Sequence, residues 1–213
     1  MATVVLLRHG ETDWNRDQRV QGWAPVGLNE RGREQARAAG EHLASAYAID
    51  TAIASDLCRT RDTAALAGES GLPDPLFDRN WRERGFGVLQ GLSYEDAFGD
   101  RPEFDVTSGG AEALEARPEN GESLLDCQER VLEGWASVLD AVGPDGTILV
   151  VTHGGPIYVL LAHLEGIDLP TMFDREHQSN CAVNEIRVDT TKSGGDPDTE
   201  IVRQNDTSYR ESG

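Results

Sequence analysis

Two histidines stand in matching contexts, His9 in Leu7-Arg8-His9-Gly10-Glu11-Thr12 and His153 in Val151-Thr152-His153-Gly154-Gly155. Each follows a short run of β-branched and aliphatic residues, Thr3 to Leu7 and Thr147 to Thr152, and each is followed by glycine. If both runs are strands of one parallel sheet, both imidazoles stand outside the carboxyl ends of the strands, where such sheets bind ligands. Gly10 and Gly154 let backbone N–H groups come close to a ligand. Pro156 suits the first turn of a helix whose positive end would face the same rim. An imidazole, the adjacent guanidinium of Arg8 and free N–H groups form a set suited to an oxyanion. One histidine at a strand end is adequately explained by local hydrogen bonding. Two in the same context, with Arg8 beside one, point to a site.

The elements that must position these residues alternate between strand and helix. Asn29 offers an N-cap, after which Ala36, Gly40, Leu43 and Tyr47 recur on one helical face. Thr51 to Ala54 reads as a short strand, and Leu57 to about Ala67 as a helix stopped near Gly68 and Gly71. From Pro73 to Asn120 the chain is rich in Gly, Pro and charge, and the expectation is loops with one or two short helices, including a cap or insert at about 92–120. The clearest helix carries Leu124, Val131, Trp135, Val138 and Val142 on one stripe, widened by Leu125, Leu132 and Leu139, and ends at Gly143-Pro144-Asp145-Gly146. Ile157 to Leu164 continues a helix after Pro156. Cys181 to Val188 alternates as a strand that Glu200 to Arg203 can pair, with a polar turn between and a frayed end from Asp206. The pattern predicts a single α/β domain over 1–213, a three-layer α/β/α sandwich with a mainly parallel sheet.

Taken together, these segments resemble the histidine phosphatase superfamily, the phosphoglycerate mutase-like family, over most of the chain. Arg8-His9-Gly10-Glu11-Thr12 is similar to the family's defining tag. Ser55-Asp56-Leu57-Cys58-Arg59-Thr60 is similar to the segment that supplies a second phosphate arginine. Glu83, in Trp81-Arg82-Glu83-Arg84-Gly85-Phe86-Gly87, falls where the family has its acid, and Val151 to Gly155 matches the second histidine segment. Gly32 with Gln35-Ala36, Gln90-Gly91 and Gly121-Glu122-Ser123 are weaker marks of the same kind.

The resemblance implies a phosphomonoester hydrolase with a phosphoglycerate mutase-like fold. Arg8 and Arg59 clamp phosphoryl oxygens with rigid forks, and a neutral nitrogen of His9 attacks phosphorus to give a phosphohistidine. His153 adds charge and a hydrogen bond to the transferring group, while Glu83 protonates the leaving alkoxide and then deprotonates the attacking water. Thr12, Asn15, Gln21, Gly22 and Gly154 are further candidates for contact with phosphate or substrate, and Glu122 for positioning the histidines. The scheme needs no metal and no cofactor. His42, His163 and His177 read as an exposed helix residue, a late-helix residue and a loop residue near Asp174.

Three other readings compete. A 2,3-bisphosphoglycerate-dependent mutase fits Glu83-Arg84 with Leu89-Gln90-Gly91, but 100–120 lacks that group's Arg-Arg pair and is rich in acids. An inactive phospholigand-binding protein would be free to lose residues that are intact here. A metal hydrolase would have to gather His9, Glu11 and Asp13.

Bulk composition narrows the setting. The 38 Asp and Glu outnumber 19 Lys and Arg, for a net charge of −19, and Lys192 is the only lysine. Such a surface repels nucleic acids and anionic membranes, leaving a small phosphomonoester as the expected partner of a monomer or homodimer. Acidic, lysine-poor surfaces resemble those of halophiles, where concentrated salt screens self-repulsion. No apolar run approaches a membrane span, and Arg8 interrupts the first one, so a cytoplasmic protein is expected. Cys58, Cys127 and Cys181 form neither a disulfide framework nor a zinc pattern.

Overall fold

The computed structural model describes residues 1–175, 177–191 and 197–210. Six strands form one sheet in the order β3-β2-β4-β1-β5-β6: β1 Ala2–Arg8, β2 Thr51–Ala54, β3 Pro75–Phe77, β4 Thr147–Thr152, β5 Val183–Asp189 and β6 Asp198–Asp206. The first four run parallel, while β5 and β6 are antiparallel additions. The helices are α1 Asp13–Arg16, α2 Glu30–Ala46, α3 Cys58–Gly68, α4 Tyr94–Phe98, α5 Gly110–Glu115, α6 Leu124–Ala141, α7 Gly154–Glu165 and α8 Leu169–Phe173.

Alternation along the central strands builds two cores. Val4 and Leu6 of β1, with Ile148 and Val150 of β4, face a cluster filled by α6, α7 and α8. Val5 and Leu7, with Leu149 and Val151, face a second cluster filled by α2 and α3. Successive strand residues point to opposite faces, so continuous apolar runs are what a strand covered on both sides requires. The fold is therefore the expected three-layer sandwich with a mostly parallel sheet. Asn29 caps α2, its Oδ1 accepting from the Gly32 N–H at 2.8 Å. Ser123 and Asp126 form a capping box on α6. Among the described residues no helix is long and apolar enough to cross a membrane.

β1 and β4 lie side by side at the centre, with Arg8 paired to Thr152. The helices that follow them leave to opposite faces, α2 toward the second core and α7 toward the first. A crevice opens where the connections diverge in this way. His9 and His153 are the next residues on the two strands.

Several local expectations are corrected. β3 lies where the sequence pattern predicts loop: it is three residues long, begins with proline and sits at the sheet edge, so it carries no alternation. β6 runs over nine largely polar residues rather than Glu200 to Arg203, because one face of an edge strand can stay in water. The polar turn expected between β5 and β6 falls partly on 192–196, outside the described residues. Residues 206–210, expected to fray, are instead tied to the fold. Ser208–Arg210 forms a 3-10 turn, the Tyr209 hydroxyl donates to the Cys181 carbonyl at 2.5 Å, and Arg210 donates to the Asn180 carbonyl. His42 is half-buried rather than exposed, stacked on Tyr209 with ring centroids 4.7 Å apart. Leu125 lies outside the α6 stripe at 39% exposure.

Candidate active site

Strand ends deliver the chemistry. The His9 N–H donates to the Thr152 carbonyl at 3.0 Å, which ties the end of β1 to the end of β4. The two imidazole rings then lie 5.2 Å apart, tilted by 59°. Gly10 must be glycine here, since a Cβ would lie 2.4 Å from the Gly32 carbonyl oxygen where the loop after β1 crosses the start of α2.

Hydrogen bonding fixes the tautomer of His9. Its Nδ1 lies 2.7 Å from the Gly10 carbonyl oxygen. A carbonyl only accepts, so Nδ1 carries the proton and Nε2 keeps its lone pair. Arg59, from the first turn of α3, donates through Nε to that Nε2 at 3.3 Å and through Nη2 to the Gly22 carbonyl at 2.8 Å. The lone pair of a nucleophile is thus held beside a guanidinium fork. His153 caps α7, and its Nε2 meets the Ser55 hydroxyl at 2.8 Å from the end of β2.

Arg8 Nε, Arg59 Nη1 and His153 Nδ1 are all buried with no hydrogen-bond partner among the described residues. An unpaired buried donor is costly, on the order of 1–3 kcal/mol for a neutral group and more for a charged one. The two arginine donors beside the His9 imidazole, with the unpartnered Nδ1 of His153 next to them, form a preorganised cradle for a group rich in acceptor oxygens. Burial is the first cause in lowering the Arg59 pKa to about 10, with Arg8 adding repulsion and Glu83 opposing it. Arg8 is lowered too, again first by burial, with Glu83 the main opposing charge.

Glu83 lies across the crevice. Its Oε1 accepts from the Arg84 N–H at 2.9 Å, and its Oε2 from the Gly155 N–H at 3.3 Å. Gly155 leaves room for it, because a Cβ there would stand 2.1 Å from Oε1. The backbone of the acid is held from behind. Trp23 Nε1 donates to the Glu83 carbonyl at 2.7 Å, and Arg130 Nη2 to the same carbonyl at 2.9 Å. Arg130 also donates to the Asn80 and Arg82 carbonyls, and its Nε and Nη2 pair with the two carboxylate oxygens of Glu122 at 2.9 Å each. Glu122 Oε2 in turn accepts from the Gly85 N–H. Glu122 therefore braces the acid's loop and not the histidines, correcting the expectation drawn from the sequence. Nothing in the sequence marks Arg130, since three of its acceptors are backbone carbonyls that no motif displays.

The remaining candidates divide. Arg8, His9, Asn15, Gln21, Gly22, Arg59, Glu83 and Gly154 line one cavity of about 820 Å³. His153 sits beneath its floor, fully buried. Thr12 is not on the wall: it caps α1 and exchanges hydrogen bonds with Asn15. Asn180, not foreseen, donates through Nδ2 to the His9 carbonyl at 3.1 Å. The metal alternative is not assembled. Glu11 Oε1 accepts from Asn29, Asp13 pairs with Arg16 at 2.9 Å, and no group of three such side chains converges among the described residues.

Both histidines have pKa values well below the ordinary imidazole value, burial first and then the charge of Arg59. Both are neutral at pH 7. The unfolded chain, with histidines near pKa 6.5, binds more protons than the folded one below that pH. The stabilisation is full above about pH 6.5 and is lost as pH falls. The expected result is a melting temperature that drops between pH 6.5 and 5. In His153→Gln the stability slope is shallower by up to about 1.4 kcal/mol per pH unit. Identical slopes in wild type and variant would contradict the neutral assignment.

Comparison with known proteins agrees with the geometry. A family model described as the histidine phosphatase superfamily (branch 1) matches residues 4–196. The chain is 35% identical to phosphoglycerate mutase-like protein 4 of Arabidopsis thaliana over 192 residues, covering 88% of this chain and 80% of that protein. It is 34% identical to a 2,3-bisphosphoglycerate-dependent phosphoglycerate mutase of Methylobacterium radiotolerans, covering 88% of this chain and 91% of the relative. Among solved structures, Bacillus stearothermophilus YhfR is similar with a TM-score of 0.84 at 29% identity, covering 98% of this chain and 99% of that one. A mycobacterial glucosyl-3-phosphoglycerate phosphatase is similar with a TM-score of 0.76 at 28% identity, covering 95% and 98%.

Proposed function

The chain belongs to the histidine phosphatase superfamily, and from that premise we propose that it is a metal-independent phosphomonoester hydrolase working through a phosphohistidine at His9. The observation that carries this reading is the unprotonated Nε2 of His9 set beside the unpaired buried guanidinium donors Arg8 Nε and Arg59 Nη1, with the second imidazole, His153, 5.2 Å away. Nε2 attacks phosphorus while the ester P–O bond breaks, and Glu83 gives its proton to the departing alkoxide. Water then attacks the phosphoryl group. Glu83 takes a proton from that water, the N–P bond breaks, and neutral His9 and inorganic phosphate remain. The transferring group carries its charge on equatorial oxygens, so fixed donors do most of the work. A bound dianion also favours a proton on His153, which turns it into a further donor.

The identity to proteins named as mutases favours a second reading, 2,3-bisphosphoglycerate-dependent interconversion of phosphoglycerates. A mutase has to grip a second anionic group. Beyond Arg8 and Arg59, the arginines on this cavity are already engaged: Arg84 donates to the Glu122 and Ala116 carbonyls, and Arg175 pairs with Glu165 at 2.7 Å. That favours hydrolysis. The three free thiols are in keeping with a cytoplasmic setting. With 3-phosphoglycerate and EDTA, the hydrolase reading expects no acceleration of 2-phosphoglycerate formation by added 2,3-bisphosphoglycerate, and phosphate release from at least one phosphomonoester. Rapid bisphosphoglycerate-dependent isomerisation would establish the mutase instead.

A further inference from the structure

The wall opposite the phosphate cradle is built by residues from 94–108 together with Tyr158, Phe173, residues 174–175 and residues 177–178. Its apolar part is aromatic. Phe98 and Phe104 pack on the small cluster of Val20, Leu89 and Ala97, and the Phe98 ring lies 6.0 Å from Phe86 and 6.1 Å from Tyr94. Tyr94, 48% exposed, lines the same cavity as Arg8, Glu83 and Arg59. On the far side, Tyr158 and Phe173 rings lie 5.0 Å apart. The charged groups on this wall are chiefly acids, Glu95, Asp105 and Asp174. Arg84 is buried over the Phe86 ring, and Arg175 is paired with Glu165.

Resting on the hydrolase reading, we infer that the preferred substrate is the phosphomonoester of an alcohol with an aromatic or extended apolar body and no second anionic group. A cavity of about 820 Å³ falls in the range of roughly 300–1,000 Å³ that holds drug-sized ligands, far more than a phosphate needs. An aromatic leaving group would find ring edges and faces there. A second carboxylate or phosphate would instead meet phenyl rings and three carboxylates, with no unpaired arginine to receive it. This differs from the substrates named for several of the relatives above, all of which carry a second acidic group.

The test compares esters whose leaving alcohols are similar in acidity, so that reactivity does not mimic recognition. In EDTA, kcat/KM for 2-phenylethyl phosphate is expected to exceed that for ethyl phosphate by about tenfold or more, with 3-phosphoglycerate slower than the aryl ester. Phe104→Ala should shrink the aryl-to-ethyl ratio by about tenfold. Because that change could loosen the cap, Glu95→Arg on the exposed face of α4 provides a second arm, raising turnover of 3-phosphoglycerate relative to 2-phenylethyl phosphate. Ethyl phosphate or 3-phosphoglycerate turned over as well as the aryl ester would overturn the inference and leave the hydrolase standing. Calorimetry with the non-hydrolysable 3-phenylpropylphosphonate and propylphosphonate separates the two readings. A preference for the aryl phosphonate without turnover of any ester would sink the hydrolase alone. Equal affinities would sink the aromatic substrate class.

Discussion

His9→Ala is expected to lower metal-independent phosphate release by about four orders of magnitude or more, with the fold intact. No neighbouring group can substitute for it. His153 is fully buried beneath the cavity lining, with Nε2 on Ser55. Glu83 is engaged by the Arg84 and Gly155 N–H groups. When a covalent step is removed, what survives is the electrostatic cradle acting on direct water attack, typically a small residue of the original rate. The measurement is single-turnover phosphate release at matched enzyme, with circular dichroism showing that the variant is folded. A folded variant retaining a tenth of wild-type turnover would contradict the assignment of the nucleophile.

Arg59→Met is expected to move activity and stability in opposite directions. Arg59 is 1% exposed, and its guanidinium has one neutral carbonyl, one imidazole nitrogen and an unpaired Nη1 around it. Burial is the main cost to its charge, Glu83 offsets part of it, and Arg8 on the cradle repels it. Such a charge is costly to keep buried when no anion is bound, and an unbranched apolar chain of similar length removes the cost. The expected gain is about 1–3 kcal/mol in chemical denaturation without phosphate. The expected loss in kcat/KM is about 10²–10³, the usual effect of deleting one donor to developing negative charge. Inorganic phosphate should stabilise the wild type more than the variant, since a ligand stabilises only what binds it. A variant both less stable and nearly as active would show that Arg59 serves the fold instead.

The parts of this site legible in the sequence are those where one strand directly presents one side chain. Thr3 to Leu7 and Thr147 to Thr152 announce buried parallel strands, so His9 and His153 could be placed at the sheet rim before any coordinates. Arg59 and Glu83 needed the family resemblance, because a helix arginine and a loop glutamate carry no signal of burial. The supporting layer was illegible for a different reason. Arg130, Trp23 and Asn180 act by donating to backbone carbonyls, and carbonyls are the same at every residue. Nothing in Gly121-Glu122-Ser123 indicates that the Glu122 carboxylate meets Arg130 nearly two turns into α6. In the fold, β3 and β6 were blurred because edge strands need not alternate.

The phosphohistidine itself is the most direct test. Enzyme mixed with a saturating phosphomonoester in EDTA is quenched in base, which preserves N–P bonds, and in acid, which cleaves them, and the peptides are then read by mass spectrometry. The account predicts one phosphoryl group per chain on the peptide carrying Arg8 and His9, located on Nε2, retained in base, lost in acid and absent from His9→Ala. Steady turnover with no base-stable phosphoryl group at His9, or the label on another residue, would contradict it.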